Sequence, residues 1–124
     1  MADSERDITV VVVDDYADSR ALLAMYLRTE GFQVKEAATG MEALEVAATQ
    51  PSLMILDINL PDIDGFEVVA RVAEMEDAPP VVLTSTRSAA DFGGLISRSG
   101  ARAFVSKSEI SGAALAAFVG LRGS

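Results

Sequence analysis

The sequence predicts a doubly wound α/β domain, in which helices cover both faces of a five-stranded parallel sheet. Strand-like apolar runs and amphipathic helix-like segments alternate about five times, which is the pattern of parallel strands joined by crossover helices. The runs are apolar almost throughout, as expected for strands that are covered on both faces. The chain has 124 residues, of which 50% are hydrophobic and 23% charged, so it can bury the core of a single domain.

The boundaries of the elements follow from the apolar runs and from the residues between them. Strands are predicted near 8–13, 32–36, 52–57, 80–84 and 102–106, and helices near 17–30, 40–49, 65–76, 89–99 and 111–121. Four consecutive valines mark the first strand, because β-branched residues favour extended backbone. Gly31 follows the first helix as a C-cap. The second strand is the most polar of the five, which places it at an edge of the sheet.

The next elements have their own boundary signals. Thr39 and Glu42 form a capping box at the start of the second helix. Pro51 precedes the third strand, and the Pro79-Pro80 pair leads into the fourth. The amphipathic segment between these two strands is therefore the third helix.

The fourth helix is expected to be short or displaced. Gly93 and Gly94 lie inside its pattern, and each glycine in a helix costs about 1 kcal/mol relative to alanine. Gly100 follows this helix as a C-cap. The pattern of the fifth helix ends near Leu121, which leaves 122–124 as a short tail.

Charge and composition exclude several kinds of function. The net charge of −9 repels nucleic acid backbones and anionic membrane surfaces, so we expect no direct nucleic acid binding and no membrane attachment. The chain has neither cysteine nor histidine, which excludes disulfides, thiolate or histidine metal sites and Ser-His-Asp catalysis. The acidic N-terminus lacks the basic flank and apolar stretch of a signal peptide, so a cytoplasmic protein is expected.

Polar residues stand at the ends of four of the apolar runs. Asp14 and Asp15 follow the first run, Asp57 the third, Thr84 the fourth and Lys107 the fifth. The carboxyl ends of parallel strands lie along one edge of a sheet, so these residues are expected to meet in one crevice. Carboxylates that face a hydroxyl and a lysine are what a hard cation and a transferred phosphoryl group require. The sequence therefore predicts a phosphoryl acceptor.

Asp57 is the expected acceptor. Its carboxylate would be desolvated on the strand side and open toward the crevice, and aspartate can form an acyl phosphate when a cation offsets the incoming charge. Asp14 and Asp15 would repel each other unless a cation lay between them and Asp57, and Mg²⁺ prefers such oxygen ligands. The alternative is that this pair are helix N-terminal acids, a role that Asp18 could fill alone.

Thr84 and Lys107 complete the expected site. The threonine hydroxyl would lie near a phosphoryl oxygen on Asp57, although threonine is also an ordinary strand residue. The ammonium of Lys107 would pair with Asp57 at rest and with the phosphoryl oxygens afterward. Lys107 is one of only two lysines in the chain, and a solvated loop lysine is the alternative interpretation.

The segment from Asp57 to Gly65, with the sequence DINLPDIDG, is the most specific local motif. With its Leu-Pro and Asp-Gly pairs, it resembles the phosphoacceptor loop of response-regulator receiver domains. The acidic pair, Thr84 and Lys107 fall where this family has its corresponding residues, and the resemblance covers essentially the entire chain. It implies a flavodoxin-like (βα)5 fold with strand order 2-1-3-4-5 and a single receiver domain over 1–124, with no output domain.

The resemblance also implies a role for each residue of the site. Asp57 is the phosphorylated residue, and Phe104 is the switch aromatic, whose ring turns inward when Thr84 moves. Mg²⁺ is held by Asp14, Asp15, Asp57 and the backbone carbonyl of Asn59. One position departs from the family: Ser108 stands where a proline usually follows the lysine, so the shape of this loop and its cis peptide are expected to differ.

The function implied by the resemblance is that of a signalling switch rather than a metabolic enzyme. A histidine kinase or phosphotransfer protein would donate a phosphoryl group to Asp57 in a Mg²⁺-dependent reaction. The protein would take part in catalysing its own phosphorylation and dephosphorylation. The modified chain would act on a downstream protein, or form a homodimer, through the face of the fourth helix, fifth strand and fifth helix.

Three other interpretations compete with this one. The first is a pseudo-receiver that is not phosphorylated and serves as a protein docking module, for which Ser108 leaves room. The second, a haloacid-dehalogenase-like phosphatase, is disfavoured because Asn59 stands where a second acid is expected. The third, a flavin-binding module, is disfavoured because the acids after the first strand would repel a flavin phosphate.

Overall fold

A computed structural model of the chain describes residues 8–111, 113–115 and 117–118. Five parallel strands form one sheet in the order β2-β1-β3-β4-β5. The strands are β1 (Thr9–Val13), β2 (Gln33–Ala37), β3 (Leu53–Asp57), β4 (Val81–Ser85) and β5 (Ala103–Ser106). The helices are α1 (Ala17–Thr29), α2 (Gly40–Ala47), α3 (Gly65–Ala73), α4 (Leu95–Arg98) and α5, the helical residues 113–115 and 117–118. The predicted fold and strand order are confirmed.

Parts of three predictions lie outside the described residues. These are the acidic N-terminal segment 1–7, the last part of the fifth helix, 119–121, and the tail 122–124. Where the structure does describe the chain, it contains no helix with the length and apolar character needed to cross a membrane.

The sheet is covered on both faces because successive side chains of a strand point in opposite directions. On one face, Leu56 packs in a buried cluster with Val68 of α3. On the other face, Ile55 packs with Leu27 of α1 and Leu115 of α5. Each fully buried side chain of this size contributes about 1.5–3 kcal/mol to folding. All five residues of β3 are buried, so the strand that ends at Asp57 is fixed in the middle of the core.

The second strand lies at an edge of the sheet, as predicted. It pairs with β1 alone, and Ala37 is the only one of its five residues that is buried. The capping interaction predicted at the start of α2 is also present, since Thr39 Oγ1 accepts a hydrogen bond from the N–H of Glu42 at 3.1 Å. The Glu42 carboxylate, however, accepts from the N–H of Ala38 rather than from that of Thr39.

Two helices end before their predicted boundaries. The segment predicted as 40–49 ends at Ala47, and the one predicted as 65–76 ends at Ala73. Gln50 and Asp77, which lie just beyond the predicted ends, take φ values of 61° and 56°, a left-handed region through which a right-handed helix does not continue. Amphipathic spacing alone did not predict where these two helices end.

The region of the fourth helix differs most from its predicted range of 89–99. A 3₁₀ turn over Ala89–Phe92 is followed by Gly93 and Gly94, and only then by the single turn of α4. Gly93 has φ = 57° and ψ = −129°, a conformation that glycine adopts without steric cost. The expectation of a shortened helix is confirmed, and the glycine pair is its physical cause.

The loop after β5 contains Ser108, the position at which the sequence departs from the family pattern. The described part of the chain contains no cis peptide bond, and Lys107–Glu109 form one turn of 3₁₀ helix. The hydroxyl groups of Ser106 and Ser108 are 3.1 Å apart across this turn. The N–H of Ala114 then donates to Ser111 Oγ, which caps the start of α5.

Candidate functional site

The strand ends bring the predicted residues together at one edge of the sheet. Asp14 directly follows β1, Asp57 is the last residue of β3 and Lys107 directly follows β5. Thr84 is the next-to-last residue of β4 and pairs with Asp57 in the parallel register. The positions of these four residues are therefore set by buried backbone rather than by flexible loops.

Lys107 joins the two buried carboxylates of the site. Its Nζ donates to Asp14 Oδ2 at 2.7 Å and to Asp57 Oδ2 at 2.8 Å. The side chains are 16% exposed for Lys107, 0% for Asp14 and 7% for Asp57, so this ion pair network is largely shielded from water. At rest, the ammonium therefore supplies the positive charge that holds the two acids close together.

The two buried aspartates differ in their other hydrogen bonds. Asp14 also accepts from the Ser19 hydroxyl at 2.6 Å and from the N–H of Tyr16 at 3.0 Å. Asp57 accepts, besides Lys107, from the N–H of Asn59 at 2.9 Å. The Asp14 carboxylate thus accepts more of these hydrogen bonds than the Asp57 carboxylate, which keeps more oxygen lone pairs for a new partner.

The pKa values of these acids shift in opposite directions. For Asp14, burial favours the neutral acid, but the hydrogen bonds from Lys107, Ser19 and Tyr16 together outweigh it and hold the pKa below the ordinary 3.8. For Asp57, burial outweighs its hydrogen bonds and, with the nearby charge of Asp14, raises the pKa above 3.8. The Asp57 carboxylate is the less stabilised anion, which suits a nucleophile.

Lys107 should titrate above the ordinary lysine pKa of 10.5. Burial favours the neutral amine, but the hydrogen bonds and negative charges of Asp14 and Asp57 outweigh it and raise the pKa. Because the pKa is raised on folding, Lys107 contributes to stability at every pH below 10.5, and this contribution is lost as the pH rises through the folded-state pKa.

An NMR titration of the metal-free protein measures this pKa. We expect the midpoint of the Lys107 Cε chemical shift to lie above pH 10.5, and we expect a lower midpoint in Asp57→Asn. A midpoint below 10.5 in the unaltered chain would contradict this.

Three carboxylates converge where a cation could bind. Single oxygen atoms of Asp14, Asp15 and Asp57 all lie within 4.8 Å of one another. Asp15 is exposed, whereas the other two acids are buried. A set of oxygen donors that opens to water on one side fits Mg²⁺, which takes hard oxygen ligands and keeps several of its waters. The metal role of the Asn59 carbonyl stays a prediction, since the contact described for this residue is that of its N–H.

Thr84 carries a buried hydroxyl without a hydrogen-bond partner among the described residues. The residue is 1% exposed. Leaving a buried hydroxyl unpaired costs about 1–3 kcal/mol, which a new acceptor beside it would relieve. Ser85, the next residue, is also buried, but its Oγ accepts from the N–H of Arg87 at 3.0 Å. Thr84 is therefore the hydroxyl that is available to a group arriving on its strand neighbour Asp57.

The predicted switch aromatic, Phe104, is half-buried at the end of a row of three rings. The Phe104 and Phe92 centroids are 6.0 Å apart, and Phe92 is 6.0 Å from Phe66 of α3. The guanidinium carbon of Arg87 lies 5.3 Å from the Phe92 centroid. Phe104 thus contacts the 3₁₀ turn that replaces the first part of the fourth helix, which physically links the site to that region.

Sequence reasoning missed three contributors to this arrangement. Ser19 binds Asp14, and its position in the first turn of α1 was the available signal. Phe92 lies in the glycine-interrupted segment, where no helical periodicity marks an inward-facing side chain. Asp62 lies within the most specific motif, but its hydrogen-bond partners are more than twenty residues away in sequence.

The chain is similar to known proteins of one family. Residues 10–118 match the response regulator receiver domain family. The chain is 45% identical over 83 residues to the transcriptional regulatory protein PrrA of Mycobacterium leprae, covering 66% of this chain and 36% of that protein. It is 38% identical over 77 residues to the transcriptional regulatory protein SrrA of Staphylococcus aureus, covering 61% of this chain and 32% of that protein. It thus spans about a third of the length of these relatives, 36% and 32%.

A solved structure agrees with these matches. The chemotaxis response regulator CheY4 of Vibrio cholerae superimposes with a TM-score of 0.81 at 25% identity, covering 93% of this chain and 98% of that one. The family match, 10–118, includes all five strands except the first residue of β1, and with them every residue of the acidic site. The chain therefore belongs to the response regulator receiver domain family of two-component systems.

Proposed function

We propose that this receiver domain accepts a phosphoryl group on Asp57 from a histidine kinase or phosphotransfer protein, in a Mg²⁺-dependent reaction. The observation that carries the proposal is the position of the Asp57 carboxylate. It ends a strand that is buried at all five positions, bonds Lys107 at 2.8 Å and lies within 4.8 Å of the carboxylates of Asp14 and Asp15.

In the transfer, a carboxylate oxygen of Asp57 forms a bond to phosphorus. The bond between phosphorus and the imidazole nitrogen of the donor histidine breaks, and the imidazole leaves with its electron pair. Bound Mg²⁺, held by Asp14, Asp15, Asp57 and the Asn59 carbonyl, would offset the charge of the incoming group. Lys107 already donates to Asp57, and a small shift of its ammonium would let it bind a phosphoryl oxygen.

The new phosphoryl oxygens would also provide the acceptor that Thr84 lacks. Phe104 lies on β5 opposite Leu83, the residue before Thr84 in β4, and it would turn inward when the Thr84 hydroxyl moves toward Asp57. Phe104 packs against Phe92, so its rotation would disturb the 3₁₀ turn and α4. A switch of this kind needs a segment of low local stability, which the Gly93-Gly94 interruption supplies.

Amide hydrogen exchange should detect this switch. We expect residues 87–99 to exchange faster than β3 in the unmodified protein, because the segment has few regular backbone hydrogen bonds. We also expect their exchange to change when acetyl phosphate and Mg²⁺ are added, while β3 stays protected. Slow exchange over 87–99 that is indifferent to phosphorylation would contradict the proposed switch.

The partners follow from the same proposal. The upstream partner is the phosphohistidine of another protein, since this chain has no histidine. The downstream partner is a protein target, or a second copy of the chain, that binds the face formed by α4, β5 and α5. Direct nucleic acid binding by this domain is not proposed, because its net charge is −9. The cytoplasmic location and the single-domain organisation over 1–124 stay predictions.

Intact mass measurement after incubation with acetyl phosphate tests the acceptor chemistry. We expect one phosphoryl adduct in the presence of Mg²⁺ and none when a chelator removes the metal. Reduction with borohydride, which converts an aspartyl phosphate to homoserine, should label Asp57 in a peptide map. An adduct that forms without metal, or at another residue, would contradict the proposal. No adduct under any condition would favour the alternative of a pseudo-receiver that acts as a docking module.

A further inference from the structure

We propose that Asp62 is a positioning residue for the metal site, because its carboxylate fastens the loop that carries Asn59 to the N-terminus of α2. This inference rests on the proposed function, in which the Asn59 carbonyl is a Mg²⁺ ligand. The loop between β3 and α3, residues 58–64, contains both residues. Asp62 is not one of the three acids that converge on the metal position, so it would act through the loop rather than by binding the ion.

The carboxylate of Asp62 bonds two consecutive backbone N–H groups of α2. Oδ1 accepts from Gly40 at 2.8 Å and Oδ2 from Met41 at 2.9 Å. The first N–H groups of a helix have no partner within the helix, and an anion there also interacts favourably with the helix dipole. Thr39 caps only the N–H of Glu42. The Thr39 side chain does not bond the N–H groups of Gly40 and Met41. Asp62, in the loop between β3 and α3, supplies the acceptors for both.

Close packing supports the same attachment. A Cβ atom built on Gly40 would collide with the side chain of Ile63 and lie 3.1 Å from Val68. Only glycine at this position lets the loop approach the helix so closely. The hydrogen bonds of Asp62 and the apolar contact of Ile63 thus act at the same point of α2.

The two ends of the loop are also held close to each other, at Ile58 and Gly65. The N–H of Gly65 donates to the carbonyl of Ile58 at 2.7 Å. A Cβ atom on Gly65 would lie 2.7 Å from Ile58 Cα and 2.9 Å from the carbonyl oxygen of Asp57. Asn59 directly follows Ile58, where the two ends of the loop meet, and Asp62 attaches a later part of the loop to α2. The path of the backbone at Asn59 is therefore determined from both sides, and loss of Asp62 frees one of them.

Titration with Mg²⁺ measures the effect directly. Amide chemical shifts followed during the titration give the dissociation constant without any phosphorylation step. We expect Asp62→Asn, which keeps one acceptor oxygen, and Asp62→Ala, which keeps none, to weaken Mg²⁺ binding progressively. The expected loss for Asp62→Ala is about tenfold, the lower end of the range for residues that orient metal ligands. Asp62 is exposed, so both variants should fold.

The matched control is Asp64→Ala. Asp64 lies in the same loop and also caps a helix, since its Oδ1 accepts from the N–H of Glu67 at 2.9 Å, but that helix is α3 and the bond is local. We expect this variant to lose thermal stability while its Mg²⁺ affinity changes less than twofold. The rate of adduct formation from acetyl phosphate at saturating Mg²⁺ should be nearly the same in the Asp62 variants and the unaltered chain.

The outcomes separate this inference from the proposed function. Equal Mg²⁺ affinities in Asp62→Ala and Asp64→Ala, with phosphorylation of Asp57 intact, would overturn the role of Asp62 alone. A reduced phosphorylation rate that saturating Mg²⁺ does not restore would also overturn it, because the defect would not act through the metal. Failure of the unaltered chain to bind Mg²⁺ would overturn both proposals.

Discussion

Asp57→Asn should form no phosphoryl adduct under conditions that modify the unaltered chain completely. The amide oxygen of asparagine is too weak a nucleophile to displace a phosphoryl donor. The stability should change little, within about 1 kcal/mol, because two effects oppose each other. The substitution weakens the bond to Lys107, but it also removes a carboxylate that is buried beside Asp14 and whose pKa is raised.

Intact mass after reaction with acetyl phosphate and Mg²⁺ checks the first part, and urea unfolding checks the second. Asp18→Asn is the control, since Asp18 is an exposed acid in the first turn of α1 that does not converge with the other three. This control should be phosphorylated as the unaltered chain is. An adduct of equal yield on Asp57→Asn would assign the acceptor to another residue.

Lys107→Met should lower the free energy of unfolding by about 2–3 kcal/mol in metal-free buffer. Removing one partner of a buried ion pair costs about 3–5 kcal/mol, and the partial exposure of this lysine reduces that figure. Asp14, with 0% of its side chain exposed, would keep its bonds to Ser19 and Tyr16 but lose the ammonium that bonds its carboxylate. Asp14 and Asp57 would then repel each other without compensation.

Mg²⁺ should restore much of the stability that Lys107→Met loses, because the ion replaces the missing positive charge. We therefore expect a larger Mg²⁺-dependent increase in unfolding free energy for this variant than for the unaltered chain, measured by urea unfolding with Mg²⁺ or chelator. Lys35→Met is the control. Its ammonium donates a 3.3 Å bond to Thr49 at an exposed site, and its loss should cost less than about 0.5 kcal/mol. Equal costs for the two lysines would contradict the bridging role of Lys107.

The acidic site was predictable because each of its residues has a local signal. Asp57 ends an apolar strand, and Asp14 and Lys107 each directly follow one. Because parallel strands all end at the same edge of a sheet, these residues were expected to lie together. The edge position of β2 was readable from its polarity. The complete strand order came from the resemblance to receiver domains, because periodicity does not specify which buried strands are neighbours.

Other features could not be read from local sequence. The glycine pair indicated a weak fourth helix, but it did not indicate that Phe92 packs between two other rings. The attachment of Asp62 to α2 joins residues that are 21 and 22 positions apart, and only the folded chain shows which aspartate of the motif makes it. Both features come from tertiary contacts, which override local preference.

The bridge made by Lys107 also constrains the order in which the molecule is completed. Its ammonium bonds partners that precede it by 93 and 50 residues, and the strand before it is the last of the sheet and lies at an edge. Contacts between such distant residues form late, since the chain between them must first be ordered. The last strand of the sheet therefore completes the charge balance at the ends of the first and third strands, and the buried acids of this edge depend on a residue at its opposite side.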